Sequence, residues 1–529
     1  MNSLKVLDVT LRDGGCVNNF DFGTEYMNKI LQAQEKAGLD IIELGYIDEK
    51  KGSEIGRTQF VDEKVVRHYF LKKKKVGTKY VVMMDYGKFN VNNLESRVSG
   101  GIDGIRLAFH KKDARKAIEN AKIIIAKGYE VFIQPMITLR YNDSELIELI
   151  QTVNNELADA SGFYIVDSFG EMRPNDMNRI LNLVDHNLLP EMTVGFHSHN
   201  NLQMSYSNAV VLLQFASNRD FLLDASIMGM GKGAGNLNTE LLLEHLNLFY
   251  GKEYDIEPLL DVMDKVLNQI HSEFYWGYAP EYYLSAVHHC TPGYASYFYN
   301  KHMLPVKRVG ELLGLLEEQK RISFDAAYAE EVYVKYNEGV AFEDKDCIEK
   351  LISIFKDKKI LLIGPGKQIG LYKERIASLA NSGDYIVIGL NYDMDTHADY
   401  IVTTRMDAYF NYMNQNKILI VPSNITKESR SDINIIDYGK WSERKGKIWD
   451  TSAVLILNIL KKAKPSEVHI AGMDGFSVNI NDNYTDSNFR IPLSEKEAMA
   501  RNEFYIGFIK ELRNNGMIIV FETPSKYDL

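Results

Sequence analysis

Short apolar runs alternate with amphipathic stretches through about the first 250 residues of the chain. The runs predict buried strands, and intervening segments such as TEYMNKILQAQEKAG carry apolar residues at helical spacing. Strand candidates lie at 4–11, 40–47, 79–86, 101–109, 129–139, 162–169, 192–199 and 221–231. Regular strand–helix alternation implies right-handed crossovers and a parallel sheet. Eight repeats favour a closed (β/α)₈ barrel, a TIM barrel, over the alternative of an open doubly wound sheet.

The pattern changes after the barrel. Residues 253–340 are helical and rich in aromatic side chains, which predicts a helical cap, and a polar linker follows around 335–346. A second strand–helix series begins near Lys358, with further strand candidates at 384–391, 398–404, 417–423, 466–474 and 516–522. The chain is therefore predicted to be an α/β protein of three parts. These are a barrel domain (1–252), a helical cap and linker (253–345) and a C-terminal Rossmann-like α/β domain (355–529).

Composition excludes some classes of function. With a net charge of −11 and a pI near 5.7, the chain is not expected to have the basic face that nucleic-acid binding needs. The three cysteines, Cys16, Cys290 and Cys347, are far apart and form no CxxC pair, so we expect no disulfide framework and a cytoplasmic location. No stretch has the roughly 18 uncharged apolar residues of a membrane span, and the N-terminus lacks a signal-like apolar core. We also expect a homo-oligomer.

Candidate metal ligands follow three barrel strands. His197 and His199 are two residues apart, so both imidazoles point to one side of a strand. Asp13 follows strand 1 and Asn236 lies in the Gly-rich loop after strand 8. Strands 1, 7 and 8 are neighbours when an eight-stranded barrel closes, and active sites lie at the carboxyl ends of barrel strands. These side chains can therefore converge into a site with two histidines and one carboxylate, with positions left open for a substrate.

Each of these residues alone also fits a structural role. A histidine pair of this spacing is as often structural as metal-binding, an aspartate after a strand commonly caps a helix, and an asparagine among glycines is commonly a turn residue. Their joint occurrence at three adjacent strand ends favours a metal site.

The motifs LDVTLRDGG, GFHSHNN and GMGKGAGNLNTE resemble, in this order, the DRE-TIM metallolyase superfamily, and in particular its 4-hydroxy-2-oxovalerate aldolase branch. The resemblance covers about the first 250 residues. It implies a Mn²⁺ or Mg²⁺ ion bound by Asp13, His197 and His199, with Asn236 in or near the coordination shell. A 2-oxo acid such as pyruvate would chelate the metal, an aldehyde would be its partner, and the metal would hold the enolate during carbon–carbon bond cleavage or formation. Arg12 would lie over the enolate oxygen as a fixed cation.

The chain departs from that branch at the acid/base group. A histidine that follows the RDG motif in the branch is replaced here by the stretch Gly15-Cys16-Val17-Asn18-Asn19. His110, Tyr141, Glu43 and the tyrosines of the cap are candidates to replace it, and we place His110 first. An acyl-CoA-dependent Claisen-type synthase, similar to isopropylmalate or homocitrate synthase, is the alternative, although such enzymes usually read RDGEQ or RDGxQ where this chain reads RDGGC.

The second strand–helix series contains a Gly-rich turn, Gly364-Pro365-Gly366, after an apolar strand. Such a turn can present backbone amides to a phosphate at a helix N-terminus, although it can also be purely structural. The pattern loosely resembles bacterial sialyltransferase-like domains that bind nucleotide-sugars, which implies a nucleotide near Gly364, Gly366, Asn391 and Asn424. An aldolase fused to such a domain would fit biosynthesis of an unusual surface-polysaccharide sugar. The alternative is a non-catalytic docking or dimerisation module.

Overall fold

The computed structural model describes residues 3–52, 54–70, 74–301, 304–338, 342–394, 398–415, 417–444, 448–449, 451–485 and 495–529. Contacts divide the chain into two compact units. The first comprises Met1–Ala295 and Glu318–Phe324, and the second comprises Ser296–Glu317 and Asp325–Leu529. The expected cap and linker, 253–345, contributes to both units, and residues 339–341 of that linker lie outside the described part of the chain.

The first unit is the predicted barrel. Its strands are β1 Leu4–Asp8, β2 Ile41–Ile47, β3 Gln59–Phe60, β4 Lys79–Asp85, β5 Gly104–Phe109, β6 Glu130–Pro135, β7 Gly162–Asp167, β8 Thr193–Ser198 and β9 Phe221–Ala225. They are ordered β1-β9-β8-β7-β6-β5-β4-β2-β3, and β1 also pairs with β2, which closes the sheet. All the pairings are parallel. The eight strands expected from the sequence are therefore confirmed, and the short β3 is an addition at the rim.

Helices surround this sheet because their apolar stripes face it. The helices of the first unit are α1 Gly23–Ala37, α2 Glu63–Phe70, α3 Ala114–Ala126, α4 Asp143–Glu156, α5 Pro174–Asn187, α6 Ser205–Leu213, α7 Thr239–Tyr250, α8 Glu257–Val262, α9 Asn268–Glu273, α10 Pro280–Val287 and α11 Pro292–Ser296. The last of these ends at the boundary between the units. Leu259, Val266 and Trp276, from the segment after α7, are buried in the same apolar core as the barrel helices. Part of the expected cap is thus continuous with the barrel core.

The second unit has the expected Rossmann-like architecture. Its strands are β10 Lys359–Ile363, β11 Tyr385–Leu390, β12 Tyr400–Val402, β13 Leu419–Pro422, β14 Ile433–Ile436, β15 Glu443–Arg444, β16 Ile448–Trp449, β17 Glu467–Ala471 and β18 Ile519–Phe521. Seven of them form a parallel sheet in the order β14-β13-β12-β11-β10-β17-β18, and β15 and β16 form a separate antiparallel pair. The sequence pattern did not indicate β14.

Two apolar clusters flank this sheet, which makes three layers. The helices of the second unit are α12 Val306–Gly314, α13 Ala326–Glu338, α14 Lys345–Phe355, α15 Lys373–Ala380, α16 Met406–Met413, α17 Tyr438–Trp441, α18 Ser452–Ala463 and α19 Glu495–Asn514. Nine of the twelve residues of α18 are buried, which is the pattern of a helix covered on nearly all sides. Among the residues that the structure describes, no helix is long and apolar enough to cross a membrane.

Candidate functional site

The turn after β1 is held by a buried carboxylate. Asp8 accepts hydrogen bonds from the Thr10 amide at 2.8 Å, from Gln34 of α1 and from the Thr239 hydroxyl of α7. The Thr10 hydroxyl in turn accepts a bond from the Ile227 amide at 2.8 Å. This turn presents Asp13, and the Asp13 side chain does not cap the following short helix. The common structural role of an aspartate after a strand is therefore not the one it has here.

Asp13 lies beside His197 of β8 and beside His199, which directly follows that strand. Its Oδ2 atom lies 3.1 Å from His197 Nε2 and 3.7 Å from His199 Nε2. One ligand atom from each of the three side chains lies within 4.8 Å of the others, and all three residues are largely buried. The two imidazole rings are nearly perpendicular, with centroids 5.3 Å apart. A carboxylate and two neutral imidazoles in this arrangement can hold one divalent cation.

The three groups have different proton affinities. Burial raises the pKa of Asp13, but the nearby Arg12 charge and the histidines hold this pKa well below its usual range. Burial lowers the pKa of His199 to about 4, so its imidazole is neutral at pH 7. Burial would also lower the pKa of His197, yet hydrogen bonds to Asp13 and Asp224 raise it. A bound cation would take the place of the hydrogen bond between His197 and Asp13.

Asn236 borders the same cluster. A β-bridge joins the backbones of His199 and Asn236. The Asn236 Nδ2 donates to the Met230 carbonyl at 3.2 Å, whereas its Oδ1 is buried without a hydrogen-bond partner among the described residues. An orphaned amide oxygen beside a carboxylate and two imidazoles has the chemistry of a further metal or substrate contact.

A buried hydrogen-bond network within the barrel orients His197. Asp224 of β9 accepts from His197 Nδ1 at 2.8 Å, from the Tyr164 hydroxyl at 3.0 Å and from Arg106. Arg106 is fully buried and donates also to Glu43 at 2.9 Å. A carboxylate behind a histidine fixes the orientation of the ring. This network was not predicted from the sequence, because its members occupy strand interiors and nothing in the local pattern separates them from ordinary core positions.

Gly195 makes room for this network. A side chain at position 195 would meet the Tyr164 ring at 2.3 Å, so only glycine allows Tyr164 to lie flat beneath the site. Arg106 lies over the same ring, with its guanidinium carbon 4.8 Å from the centroid. The glycine of the GFHSH motif is thus explained by a close approach and not by a turn.

Arg12 links the network to the mouth of the barrel. Its Nε donates to Glu43 Oε2 at 2.7 Å and its Nη1 to Asp13 Oδ2 at 3.0 Å. Its Nη2 is buried and has no hydrogen-bond partner among the residues that are described. One donor of the guanidinium is therefore available beside Asp13. Glu43, one of the acid/base candidates, instead bridges Arg12 and Arg106.

Two further acid/base candidates, His110 and Tyr141, follow the neighbouring strands β5 and β6. His110, directly after β5, is half-buried, and burial lowers its pKa, so its imidazole is neutral at pH 7. Its side chain makes no hydrogen bond within the described part of the chain. Tyr141 is buried and its burial raises the pKa of the phenol, which makes it a poor base at neutral pH.

A second histidine at the mouth comes from beyond the barrel strands. His289 follows α10 and places Nδ1 2.6 Å from Glu171 Oε2, while Arg140 also pairs with Glu171 at 3.0 Å. Glu171 lies on the turn after β7, which packs on the metal-site strand: a side chain at Gly170 would meet the His199 carbonyl oxygen at 2.9 Å. His289 was not predicted, because about 90 residues separate it from His199 and no motif surrounds it.

The residues predicted to bind a nucleotide divide into two groups. Gly364, Gly366 and Asn391 line one cleft of the second unit, whereas Asn424 is buried outside its lining and donates to the Tyr333 hydroxyl at 3.3 Å. The amides of Gly364 and Gly366 donate to carbonyls of the β17 loop at 2.8 Å each. The turn therefore lacks the unpaired amides on which the expected phosphate contact depended, and the helix that follows is a four-residue 3-10 helix.

Known proteins resemble the barrel. Residues 105–266 match the HMGL-like family. The 4-hydroxy-2-oxovalerate aldolase of Carboxydothermus hydrogenoformans is 29% identical over 269 residues, which are 50% of this chain and 77% of the aldolase. The aldolase of the same name from Chloroflexus aggregans is 28% identical over 323 residues, 60% of this chain and 88% of that protein. The solved N-terminal domain of a proposed aldolase from Bacteroides vulgatus is 27% identical, with a TM-score of 0.49, and covers 59% of this chain and 97% of that domain.

A (β/α)₈ barrel with an Asp-His-His cluster at its mouth, together with the HMGL-like match and the aldolase relatives, supports a metal-dependent carbon–carbon lyase. The barrel thus resembles the HMGL-like family and 4-hydroxy-2-oxovalerate aldolases.

Proposed function

We propose that the barrel is an aldolase that cleaves or forms a carbon–carbon bond next to a 2-oxo acid such as pyruvate, with Mn²⁺ or Mg²⁺ as cofactor. The observation that carries this proposal is the convergence of Asp13, His197 and His199, whose ligand atoms lie within 4.8 Å of one another. A divalent cation held there would stabilise negative charge that develops on the oxygens of the substrate.

The donor set fits such an ion. One carboxylate and two imidazoles leave open coordination positions, and the orphaned Asn236 Oδ1 adds an oxygen. Asp224 accepts a hydrogen bond from His197 Nδ1, which leaves His197 Nε2 to face the cation. The carboxylate and amide oxygens suit Mg²⁺ or Mn²⁺, and the absence of cysteine from the cluster disfavours soft ions such as Cu⁺.

Arg12 is assigned the role of stabilising the negative charge that develops on a substrate oxygen. Nε and Nη1 of its guanidinium are held by Glu43 and Asp13, so the side chain is fixed before substrate arrives. Its partnerless Nη2 can donate to a substrate oxygen that gains charge during the reaction. A fixed donor of this kind stabilises the transition state more than the ground state.

Proton transfer is assigned to His289, with His110 as the second candidate. A general base needs both a suitable pKa and an orienting partner. Buried Glu171 orients His289 through Nδ1 and leaves Nε2 for a substrate proton, whereas His110 has no orienting hydrogen bond among the described residues. His289 is half-exposed, which lets it exchange protons with solvent.

Exchange of the pyruvate methyl protons with deuterium oxide, with Mn²⁺ added, tests the proposal. It needs no guess about the aldehyde. His197→Ala removes one ligand and should abolish both exchange and bound metal, whereas His186→Ala, an exposed histidine on α5, should leave both unchanged. Exchange at the wild-type rate in His197→Ala would overturn the proposal. Condensation with acetyl-CoA, but no exchange or cleavage without it, would favour the Claisen-type synthase.

We further propose an aldehyde as the second substrate, a role in making a surface-polysaccharide sugar, and a homo-oligomeric state. The polysaccharide role depends on the ligand of the second unit, and that ligand is inferred from a different set of residues.

A further inference from the structure

We propose that the second unit binds a nucleoside phosphate in a cleft at the carboxyl ends of β10 and β17, and that this binding does not require the barrel site. In the parallel sheet, β10 is followed in sequence by strands on one side only, and β17 begins the other side. Ligands of open α/β sheets bind at such switch points, where two loops leave in opposite directions. A cleft that is partly open to solvent lies there.

A buried carboxylate in this cleft lacks a donor. Asp474 Oδ2 accepts from the Gln368 amide at 2.7 Å, but Oδ1 is buried without a partner among the described residues. An unpaired carboxylate oxygen in a cavity costs stability, and burial raises the pKa of Asp474 to about 6. A ligand hydroxyl or amino group would supply the missing donor, as the ribose of a nucleotide can.

An uncompensated cation lines the same cleft. Arg405 is also in the lining, but a bidentate pair with Asp407 neutralises it. The Arg501 guanidinium instead lies over the Phe476 ring, 5.2 Å from the centroid, and makes no ion pair within the described ranges. Arg501 is therefore the group that can meet a phosphate.

The N-terminus of α18 supports the same assignment. Ser452 and Ala453 begin this 12-residue helix and line the cleft, and the Thr451 side chain caps the amide of Val454. The first amides of a helix have no intrahelical partner, and its dipole favours an anion. This contact is secondary to Arg501, because a helix end by itself binds any anion weakly.

Aromatic rings form one wall of the cleft. Tyr505 and Tyr527 are stacked, with centroids 5.0 Å apart and planes 26° apart, and Phe476 lies 6.3 Å from Tyr505. Such a wall provides a flat apolar surface for a planar ring. A donor, an anion and a planar ring in one ligand describe a nucleoside phosphate better than a free phosphate or a simple sugar.

The glycine turn builds the cleft and does not hold the phosphate. A side chain at Gly366 would meet the Gly472 carbonyl oxygen at 2.5 Å and the Asp474 carboxyl carbon at 2.7 Å. Gly366→Val would therefore push the two loops apart, and it is unsuitable as a test of ligand binding. Arg501 and Asp474 are the positions to change.

Calorimetry of the full chain in EDTA, titrated with AMP, CMP, GMP and UDP and with inorganic phosphate, tests the proposal. We expect at least one nucleotide to bind with a Kd below about 1 mM and inorganic phosphate at least tenfold more weakly, since it lacks the ring and the hydroxyls. Arg501→Gln and Asp474→Asn should each weaken nucleotide binding about tenfold or more. The exposed Arg430→Gln and the barrel variant His199→Ala should leave binding unchanged.

Absence of nucleotide binding at millimolar concentration would overturn the proposal and favour a docking module. Binding that survives both cleft variants, or that disappears in His199→Ala, would also overturn it, because the ligand would then lie elsewhere. Failure of pyruvate exchange in the barrel would have no bearing on this result, so the two proposals are tested separately.

Discussion

The barrel mouth and the cleft of the second unit differ in how their buried carboxylates are paired. In the barrel, side chains from several strands and turns form one continuous network, in which Asp224 alone joins His197, Tyr164 and Arg106. In the cleft, backbone-to-backbone packing of two glycine turns forms the cavity, and Asp474 keeps an oxygen without a partner among the described residues. The first arrangement suits a small ion held in fixed geometry, and the second suits a larger ligand that completes the hydrogen bonding itself. This difference leads to opposite expectations for mutations in the two regions.

The largest effect is expected from removing Asp224. Asp224→Ala would leave Arg106 as a buried cation with one of its two carboxylate partners, and loss of one partner from a buried ion pair costs about 3–5 kcal/mol. Urea unfolding should show this loss in the barrel transition. Exposed Asp261→Ala, whose carboxylate pairs with Lys265 at 2.9 Å, provides a milder comparison. Equal stabilities of the wild type and Asp224→Ala would contradict the inference that this network stabilises the barrel.

Arg12→Lys should separate chemistry from stability. Lysine keeps the charge but cannot hold Glu43 and Asp13 while also donating to a substrate oxygen, so turnover should fall by about 10²–10³-fold. The melting temperature should change by only a few degrees. The readouts are kcat from steady-state kinetics and the midpoint of thermal unfolding. Near-normal kcat would show that the free Nη2 is not used.

The two histidines at the mouth should differ in their effect on turnover. His289→Gln should lower kcat about 10²-fold, at the lower end of what general acid–base catalysis contributes. His110→Gln should lower kcat less, since no partner among the described residues orients that ring. A Glu171→Gln variant should lower kcat with little change in KM and without abolishing turnover, which a merely structural role would not do. The reverse ranking of the two histidines would assign proton transfer to His110.

The smallest effect, and the one of opposite sign, is expected from Asp474→Asn. Because the folded-state pKa of Asp474 is raised from 3.8 to about 6, the native state binds its proton more tightly than the unfolded chain does. Its contribution to stability is then most favourable below about pH 4 and falls as the pH rises to about 6. Partial exposure reduces the effect, so the variant should gain about 1 kcal/mol at pH 7, or roughly 2–4 °C in Tm.

The same Asp474→Asn variant should gain nothing near pH 4, where the wild-type carboxyl is already protonated. Thermal unfolding at pH 4 and pH 7 measures both values. A loss of stability at pH 7 would mean that Asp474 holds the fold together, as Asp224 does in the barrel.

Local patterns in the sequence determined the strands and part of the barrel site. Runs of buried apolar residues alternating with amphipathic segments predicted the eight barrel strands, because a strand buried on both faces needs such a run. The two-residue spacing of His197 and His199 put both rings on one side of β8, and barrel closure then brought Asp13 to them. These inferences needed only periodicity and topology.

The tertiary structure decided the groups that depend on distant contacts. Asp224 and Arg106 are polar residues within buried strands, and only the closed barrel brings them together beneath His197. His289 lies in the turn after α10, and only folding brings it to Glu171. Gly366 fits a phosphate turn by pattern, yet its amide is used by the β17 loop, which only the folded sheet brings near. Spacing along the chain determines which face a side chain occupies, whereas its partners are set by segments that are remote in sequence and adjacent only after folding.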